Sequence, residues 1–180
     1  MRKIKQLKSG ETAPQFDAKD IYNKDVSFIA QDKWTLISFH RYASCPFCVV
    51  RTHDLIEAID EFQANDIDII SLWPSSKENM LKFIGSEKAP FPMVADIKKL
   101  IFENYGVTKS SKFSLIRLIR YPKMVWKAMR TRYKHEIIDA DRYLLPAEFL
   151  VNPSGEIVIA HYGQHYADHI AVDKILRFKS

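Results

Sequence analysis

The sequence predicts a single α/β domain with a central mixed sheet flanked by helices. Two buried strands, WTLISFH (34–40) and IDIISLW (67–73), are each followed by a segment with helical apolar spacing. Further on, AEFLVN and EIVIAHYG are separated by the turn PSG, which predicts a hairpin. The length of 180 residues suits one well-buried domain, and no repeat or linker divides it. We therefore expect residues 1–180 to form one domain.

The remaining elements follow in chain order. A short hairpin or edge structure is predicted by FDAKDIY and VSFIA. An amphipathic helix from the cysteines to about Gln63 is predicted by Val49, Ile56, Ile59 and Phe62. A helix with proline at its approach and glycine at its exit is predicted by PSSKENMLKFIG. A short strand is then predicted by FPMVAD, a helix by IKKLIFENYGV, and the last helix by ADHIAVDKILRF.

The positive charge of the chain is concentrated in one segment. The net charge is +5, yet nine Lys or Arg and no acidic residue lie between Lys109 and Lys134. The rest of the chain keeps 18 of the 27 basic residues and all 22 acidic ones. The N-terminal segment is basic but lacks the apolar run of a signal peptide, and no later stretch approaches a spanning length. We expect a cytoplasmic protein.

The only cysteines are Cys45 and Cys48, in the stretch ISFHRYASCPFCVVRTH. A structural disulfide gains little here, since stabilisation grows with the length of the closed loop. A zinc site needs four ligands, and no second pair has finger-like spacing, although His40 and His53 are nearby in sequence. A redox couple fits better, and we expect no metal and no cofactor.

The local sequence favours a reactive thiolate at Cys45. This cysteine follows a buried strand where a helix begins, and Pro46 suits a first helical position. Unpaired N–H groups and partial positive charge at a helix N-terminus favour a thiolate, and Arg41 and Arg51 add positive potential. Cys48, one turn on, is within reach to close a disulfide. We therefore predict Pro46 and Arg51 as thiolate-supporting residues.

Three further segments carry a family resemblance: GETAPQF, FPMVADIKKLIFENYGV and LPAEFLVNPSGEIVIAHYG. Together with CPFC they resemble peroxiredoxin-like C-x-x-C proteins of the thioredoxin-fold superfamily, which are related to alkyl hydroperoxide reductase and thiol-specific antioxidant. The resemblance implies a thioredoxin-like fold and a thiol–disulfide oxidoreductase of antioxidant type. It also implies a dithiol electron donor of the thioredoxin or glutathione type.

The chain departs from the peroxiredoxin motif P-x-x-x-T-x-x-C in either register. With Cys48 as the peroxide-attacking residue, Arg41 and Cys45 occupy the Pro and Thr positions; with Cys45, Ser38 and Tyr42 do. Pro146 stands where those enzymes place an arginine, and it resembles the cis-proline of thioredoxins that faces the C-x-x-C. The resemblance to thioredoxins makes Cys45 the attacking thiolate, whereas the peroxiredoxin alignment favours Cys48. We predict Pro146 and Arg41 as substrate-binding residues.

These residues predict an enzyme that reduces disulfides or hydroperoxides through the Cys45–Cys48 couple. One alternative is a two-cysteine peroxidase for organic hydroperoxides. Another is a non-enzymatic redox-sensing module that docks through its basic helix.

The segment 109–134 predicts an amphipathic helix with an apolar and a cationic stripe, kinked or restarted at Pro122. Its cationic stripe is either a solvated face or a docking surface for an anionic membrane or an acidic partner. We expect no nucleic acid. The spacing of His161, His165 and His169 suggests a metal comb, but only His169 is predicted to lie in the last helix.

Overall fold

The structure is a computed structural model that describes residues 5–29, 33–108, 111, 113–131 and 137–178. Its strands are β1 (Phe16–Lys19), β2 (Asp25–Phe28), β3 (Trp34–Phe39), β4 (Ile67–Trp73), β5 (Met93–Ala95), β6 (Ala147–Val151) and β7 (Ile157–Tyr162). Its α-helices are α1 (Pro46–Glu57), α2 (Ile59–Ala64), α3 (Lys77–Lys82), α4 (Leu100–Asn104), α5 (Ser114–Leu118), α6 (Pro122–Met129) and α7 (Val172–Arg177). A 3-10 helix, Ile84–Glu87, follows α3.

The central sheet is mixed, as the sequence predicts. Its strand order is β5-β4-β3-β6-β7, and β1 and β2 form a separate antiparallel hairpin. Strand β3 is parallel to β4 and β4 to β5, whereas β6 is antiparallel to both β3 and β7. Because successive residues of a strand point to opposite faces, each central strand contributes to two cores.

Both faces of the sheet are covered, which explains why β3 and β6 are buried on both sides. One face carries a group of rings whose centroids lie 4.9 to 5.7 Å apart: Phe39, Phe102, Tyr105 and Phe149. The other face packs against α1, α2 and α7 through Leu36, Leu55, Phe62, Leu150 and Ile175. Each such side chain contributes roughly 1.5–3 kcal/mol of burial free energy.

Several predicted helices are shorter than expected. The helix from the cysteines to Gln63 is divided at Ala58, whose φ of −94° and ψ of 7° leave the helical region. Helix α3 begins only after Ser76, because the Ser76 hydroxyl accepts the Asn79 N–H as an N-cap. The last helix begins at Val172, so the prediction that His169 belongs to it is wrong.

The basic segment forms two short helices, α5 and α6, within its described part. The second begins at Pro122, because proline lacks the N–H that would continue the preceding helix. The predicted restart at this proline is therefore correct. Four basic residues of the segment lie outside the described residues: Lys109, Lys112, Arg132 and Lys134. In the part of the chain that the structure describes, no helix has the length and apolar character needed to cross a membrane.

Candidate active site at the start of helix α1

Cys45 lies at the junction between the central sheet and α1. It is the N-cap residue, with φ of −73° and ψ of 117°, and Pro46 takes the first helical position as predicted. Cys48 lies one turn further along the helix. Both thiols are free, and both residues are fully buried. The sequence therefore places two thiols at one helix N-terminus, where N–H groups point outward.

Arg41 joins the two sulfurs. Its Nη1 donates to Cys45 Sγ at 3.0 Å, and its backbone N–H donates to Cys48 Sγ at 3.3 Å. The guanidinium carbon lies 3.6 Å from the centre of the Tyr166 ring. Arg41 is 2% exposed, so its charge acts on the sulfurs with little screening by water. The predicted positive potential near the pair thus comes from a direct contact.

The two cysteines ionise very differently. Burial opposes the charge on Cys45, but several contacts outweigh it and lower the pKa of Cys45 to about 5. They are the hydrogen bond from the Cys48 thiol, the Arg41 charge and the N–H groups of Cys48 and Phe47. Burial raises the pKa of Cys48 well above its ordinary value, and the neighbouring Cys45 raises it further. The geometry therefore favours Cys45 as the thiolate and Cys48 as the protonated thiol beside it.

A segment of residues 137–145, here called the covering segment, closes over the thiols. Ile138 and Ala140 pack against the cluster that contains both cysteines. Arg41 Nε donates to the Leu144 carbonyl at 2.8 Å, and Arg41 Nη2 donates to the Arg142 carbonyl. The Arg41 guanidinium thus contacts both Cys45 Sγ and two carbonyl groups of the covering segment.

Asp139 anchors the covering segment to the start of α3. Its carboxylate accepts from Ser75 Oγ at 2.7 Å, from the Ser76 N–H at 3.0 Å and from Asn79 Nδ2 at 2.7 Å. Ser44, directly before Cys45, donates its hydroxyl to the Ile137 carbonyl at 2.6 Å. These contacts join residues 60 or more positions apart, so no local sequence pattern reveals the covering segment.

Arg51 does not contact the thiols, which corrects its predicted role as a thiolate support. It lies on the α1 face that meets β6, and its Nε and Nη2 donate to the two oxygens of Glu148 at 2.7 and 2.9 Å. Glu148 also accepts from Ser38 Oγ at 3.0 Å and from the Ile170 N–H at 2.8 Å. A fully buried carboxylate needs such partners, and the two charge-assisted hydrogen bonds from Arg51 are the strongest of them.

The pKa of Glu148 reflects this pairing. Burial raises it, but the charges of Arg51 and His169 and the hydrogen bonds from His169 and Ile170 together hold it well below the ordinary value. The carboxylate thus remains charged and fixes α1 against β6. Sequence reasoning missed Glu148, although one charged residue within the buried strand AEFLV is a signal that a partner is required.

The histidines have separate partners. His161 Nε2 lies 3.1 Å from Asp168 Oδ1, and His169 Nδ1 lies 3.1 Å from Glu148 Oε1. His165 Nδ1 accepts the Ala167 N–H at 3.3 Å. His40 stacks on Trp73, and burial lowers its pKa well below the ordinary value. Over the residues described, no three His, Cys, Asp or Glu side chains come together in a way that would hold a metal ion.

Pro146 follows the covering segment and directly precedes β6. None of the described peptide bonds is cis, so the prediction of a cis Leu145–Pro146 bond is wrong. Trans is the preferred state of an X-Pro bond by about 0.5–1 kcal/mol, and the Pro146 carbonyl is satisfied by the Gly163 N–H at 2.9 Å. Gly163 is required here, because a Cβ at this position would lie 2.9 Å from the carbonyl oxygens of both Pro146 and Asp168. Substrate binding by Pro146 and Arg41 stays a prediction.

The chain is similar to known thiol peroxidases. Residues 9–160 match the AhpC/TSA family. A putative peroxiredoxin of Mycobacterium tuberculosis is 21% identical over 158 residues, which cover 87% of this chain and 94% of that protein. Peroxiredoxin Bcp of Escherichia coli is 26% identical over 108 residues, 59% of this chain and 69% of that protein. The crystal structure of peroxidoxin BcpB from Mycobacterium tuberculosis matches with a TM-score of 0.69 and 13% identity over 97% of both chains. This structural likeness confirms the predicted fold.

Proposed function

The chain belongs to the AhpC/TSA family, and on this premise we propose that it reduces hydroperoxides through the Cys45–Cys48 pair. It is a thioredoxin-fold, peroxiredoxin-like thiol oxidoreductase, as the sequence predicts. The observation that carries the proposal is the 3.0 Å contact between Arg41 Nη1 and Cys45 Sγ at a helix N-terminus. This contact maintains a thiolate at neutral pH beside a second, protonated thiol.

The first step is attack by the Cys45 thiolate on the terminal oxygen of a hydroperoxide ROOH. An S–O bond forms and the O–O bond breaks, so that Cys45 becomes a sulfenic acid and RO⁻ leaves to take a proton and become ROH. Sulfur loses two electrons and the peroxide gains them. Arg41 is the group placed to hold the negative charge near the reacting sulfur, both before and during this transfer.

The second step forms the disulfide. Cys48 attacks the sulfenic sulfur of Cys45, an S–S bond forms and the S–O bond breaks, and the departing hydroxide takes the Cys48 thiol proton and leaves as water. The hydrogen bond between the two side chains places Cys48 beside its target in the reduced state. A dithiol donor of the thioredoxin or glutathione type then reduces the Cys45–Cys48 disulfide by thiol–disulfide exchange and is itself oxidised to a disulfide.

Burial of both thiols supports a small hydroperoxide as the oxidant over a disulfide of another protein. Cys45 and Cys48 have no exposed surface, and Arg41 and the covering segment lie over them. A small peroxide needs only a narrow opening, whereas a protein disulfide must bring its own backbone to the sulfur. Direct reduction of protein disulfides remains the second candidate function, since the same pair carries the same exchange chemistry.

The test mixes fully reduced protein with a stoichiometric amount of hydroperoxide and quenches it with an alkylating agent at set times. Intact mass then counts the remaining thiols. We expect both thiols of the wild type to disappear together, and Cys48→Ser to accumulate a sulfenic acid at Cys45. Loss of thiols no faster than that of an unfolded control peptide would refute peroxide reduction. Oxidation without repeated reduction by any dithiol donor would instead indicate a redox-sensing module.

A further inference from the structure

One face of α5 and α6 is apolar and exposed to solvent. Five large apolar side chains on these helices and their flanks are between 60 and 78% exposed: Phe113, Ile116, Ile119, Trp126 and Met129. With 3.6 residues per turn, Pro122, Trp126 and Met129 share one side of α6. Ala128, on the other side, is buried, and Met124 is partly buried against the domain. The apolar stripe of α6 therefore points away from the core.

A shallow apolar groove of about 430 Å³ runs between the two helices and extends to Phe47, which lies between the two cysteines in sequence. It is lined by Phe47, Leu118, Ile119, Pro122, Val125, Trp126 and Met129. Phe47 is the residue after Pro46 in CPFC, and its ring lies 6.5 Å from that of Tyr166, the ring that stacks on Arg41. Contiguous exposed apolar surface of this kind marks an interaction site more often than a free surface.

Basic side chains border the apolar stripe. Residues 113–131 contain no acidic residue and five basic ones: Arg117, Arg120, Lys123, Lys127 and Arg130. Lys127 pairs with Asp54 of α1, which fixes α6 to the domain. Arg130 lies over the Trp126 ring at 4.4 Å, and Arg120 and Lys123 are exposed. The surface thus combines a positive border with an apolar centre.

We propose that this face of α5 and α6 docks on an anionic lipid surface. Apolar side chains that enter the boundary between headgroups and acyl chains, beside Lys and Arg that meet anionic headgroups, are what interfacial binding requires. A second copy of this chain would oppose the same basic border with its own, and like charges across an interface are unfavourable. The proposal places the protein peripherally at the membrane, with Phe47 and the redox site near the lipid. It goes beyond hydroperoxide reduction and does not depend on it.

The test is co-sedimentation with vesicles of an equimolar mixture of phosphatidylcholine and phosphatidylglycerol. We expect binding at low salt, weaker binding at high salt, and no binding to phosphatidylcholine alone. Trp126 should shift its fluorescence to shorter wavelength on binding, because it leaves water, whereas Trp73 is already fully buried. The same measurement on Trp126→Phe assigns that shift to Trp126.

Two double variants separate the parts of the surface. Arg120→Glu with Lys123→Glu, and Trp126→Ala with Met129→Ala, should each weaken vesicle binding by about tenfold or more. The matched control is Ile97→Ser with Lys98→Glu, an exposed apolar and basic pair elsewhere on the chain, which should bind as the wild type does. Turnover of a soluble hydroperoxide by each variant is measured in parallel, so that failure to dock and failure to reduce peroxide are distinguished.

Three results would overturn the proposal. The first is no binding to the anionic vesicles at low salt. The second is a loss of binding in the control pair as large as in the two surface variants. The third is retention by immobilised polyglutamate but not by vesicles, which would make an acidic protein the partner instead.

Discussion

Replacing Arg41 with Met should raise the pKa of Cys45 and thereby move the pH at which the protein reacts. The substitution keeps much of the side-chain volume but removes the charge 3.0 Å from Cys45 Sγ. Two opposite charges about 4 Å apart interact by roughly 4 kcal/mol at an effective dielectric constant of about 20. The hydrogen bond from Cys48 and the helix N–H groups remain in the variant and still stabilise the thiolate. We therefore expect the pKa of Cys45 to rise by about two units, which is less than the full charge interaction would give.

The consequence for reactivity follows from the starting pKa of about 5. At pH 7 roughly 99% of Cys45 is then ionised in the wild type, and a rise of about two units leaves roughly half ionised. The ultraviolet absorbance of the thiolate, followed against pH, measures this without requiring access to the buried sulfur. Arg177→Met, at an exposed arginine paired with Asp173, is the matched control and should leave the titration unchanged.

Arg41→Met also leaves the Leu144 and Arg142 carbonyls without their donor, at a cost of about 1–3 kcal/mol in the free energy of unfolding. Arg41→Lys retains the charge and serves as the second variant if the first unfolds, with a smaller expected rise in the pKa. A folded Arg41→Met protein in which Cys45 still titrates at about 5 would refute the assignment. The hydrogen bond from Cys48 and the helix N–H groups would then be sufficient causes.

Three further predictions follow from the contacts around the site. Cys48→Ser removes the second thiol and should accumulate a sulfenic acid at Cys45 after treatment with hydroperoxide, which a sulfenic-acid probe and intact mass would establish, and a Cys45 thiol left unoxidised by the peroxide would contradict it. Asp139→Ala removes three hydrogen bonds from the covering segment and should speed alkylation of Cys45 by iodoacetamide at neutral pH, while an unchanged rate would show that the anchor does not limit access. Glu148→Gln breaks a buried pair with Arg51 and should cost about 3–5 kcal/mol of unfolding free energy in urea at pH 7. Because the folded pKa of Glu148 is depressed, its stabilisation is present above the unfolded pKa of about 4.3 and is lost as the pH falls towards the folded pKa. The variant should therefore show a flatter acid dependence of stability than the wild type, and an equally steep one would contradict the pairing.

The sequence predicts the sheet well because its strands carry their own signals. Strand β4 has the predicted bounds, Ile67–Trp73, since a run of bulky apolar residues without a breaker fits a buried strand and little else. The ends of the helices are harder to predict from sequence. The apolar spacing continues across Ala58, although the helical conformation of the backbone is interrupted there. Periodicity reports which face is buried and not where hydrogen bonding is interrupted.

The sequence predicts the cysteine pair and its adjacent arginine, but it does not predict the residues that pack around them. The C-x-x-C and the preceding arginine lie within eight residues, so local sequence brings Cys45, Cys48 and Arg41 together. The choice between Arg41 and Arg51 as the cation beside the sulfur depends on Glu148, which is 97 positions from Arg51. A contact of this separation is set by the packing of β6 on α1, and a single sequence carries no direct signal for it.

The covering segment has a kinetic consequence. A sulfur without exposed surface reacts only during the intervals in which residues 137–145 move aside. The observed rate of oxidation is therefore bounded by the frequency of that opening, and it becomes independent of peroxide concentration once each opening captures a molecule. The same opening limits the time during which the Cys45 sulfenic acid is exposed to a second peroxide molecule before Cys48 forms the disulfide. The covering segment therefore limits both the rate of turnover and the rate of irreversible oxidation.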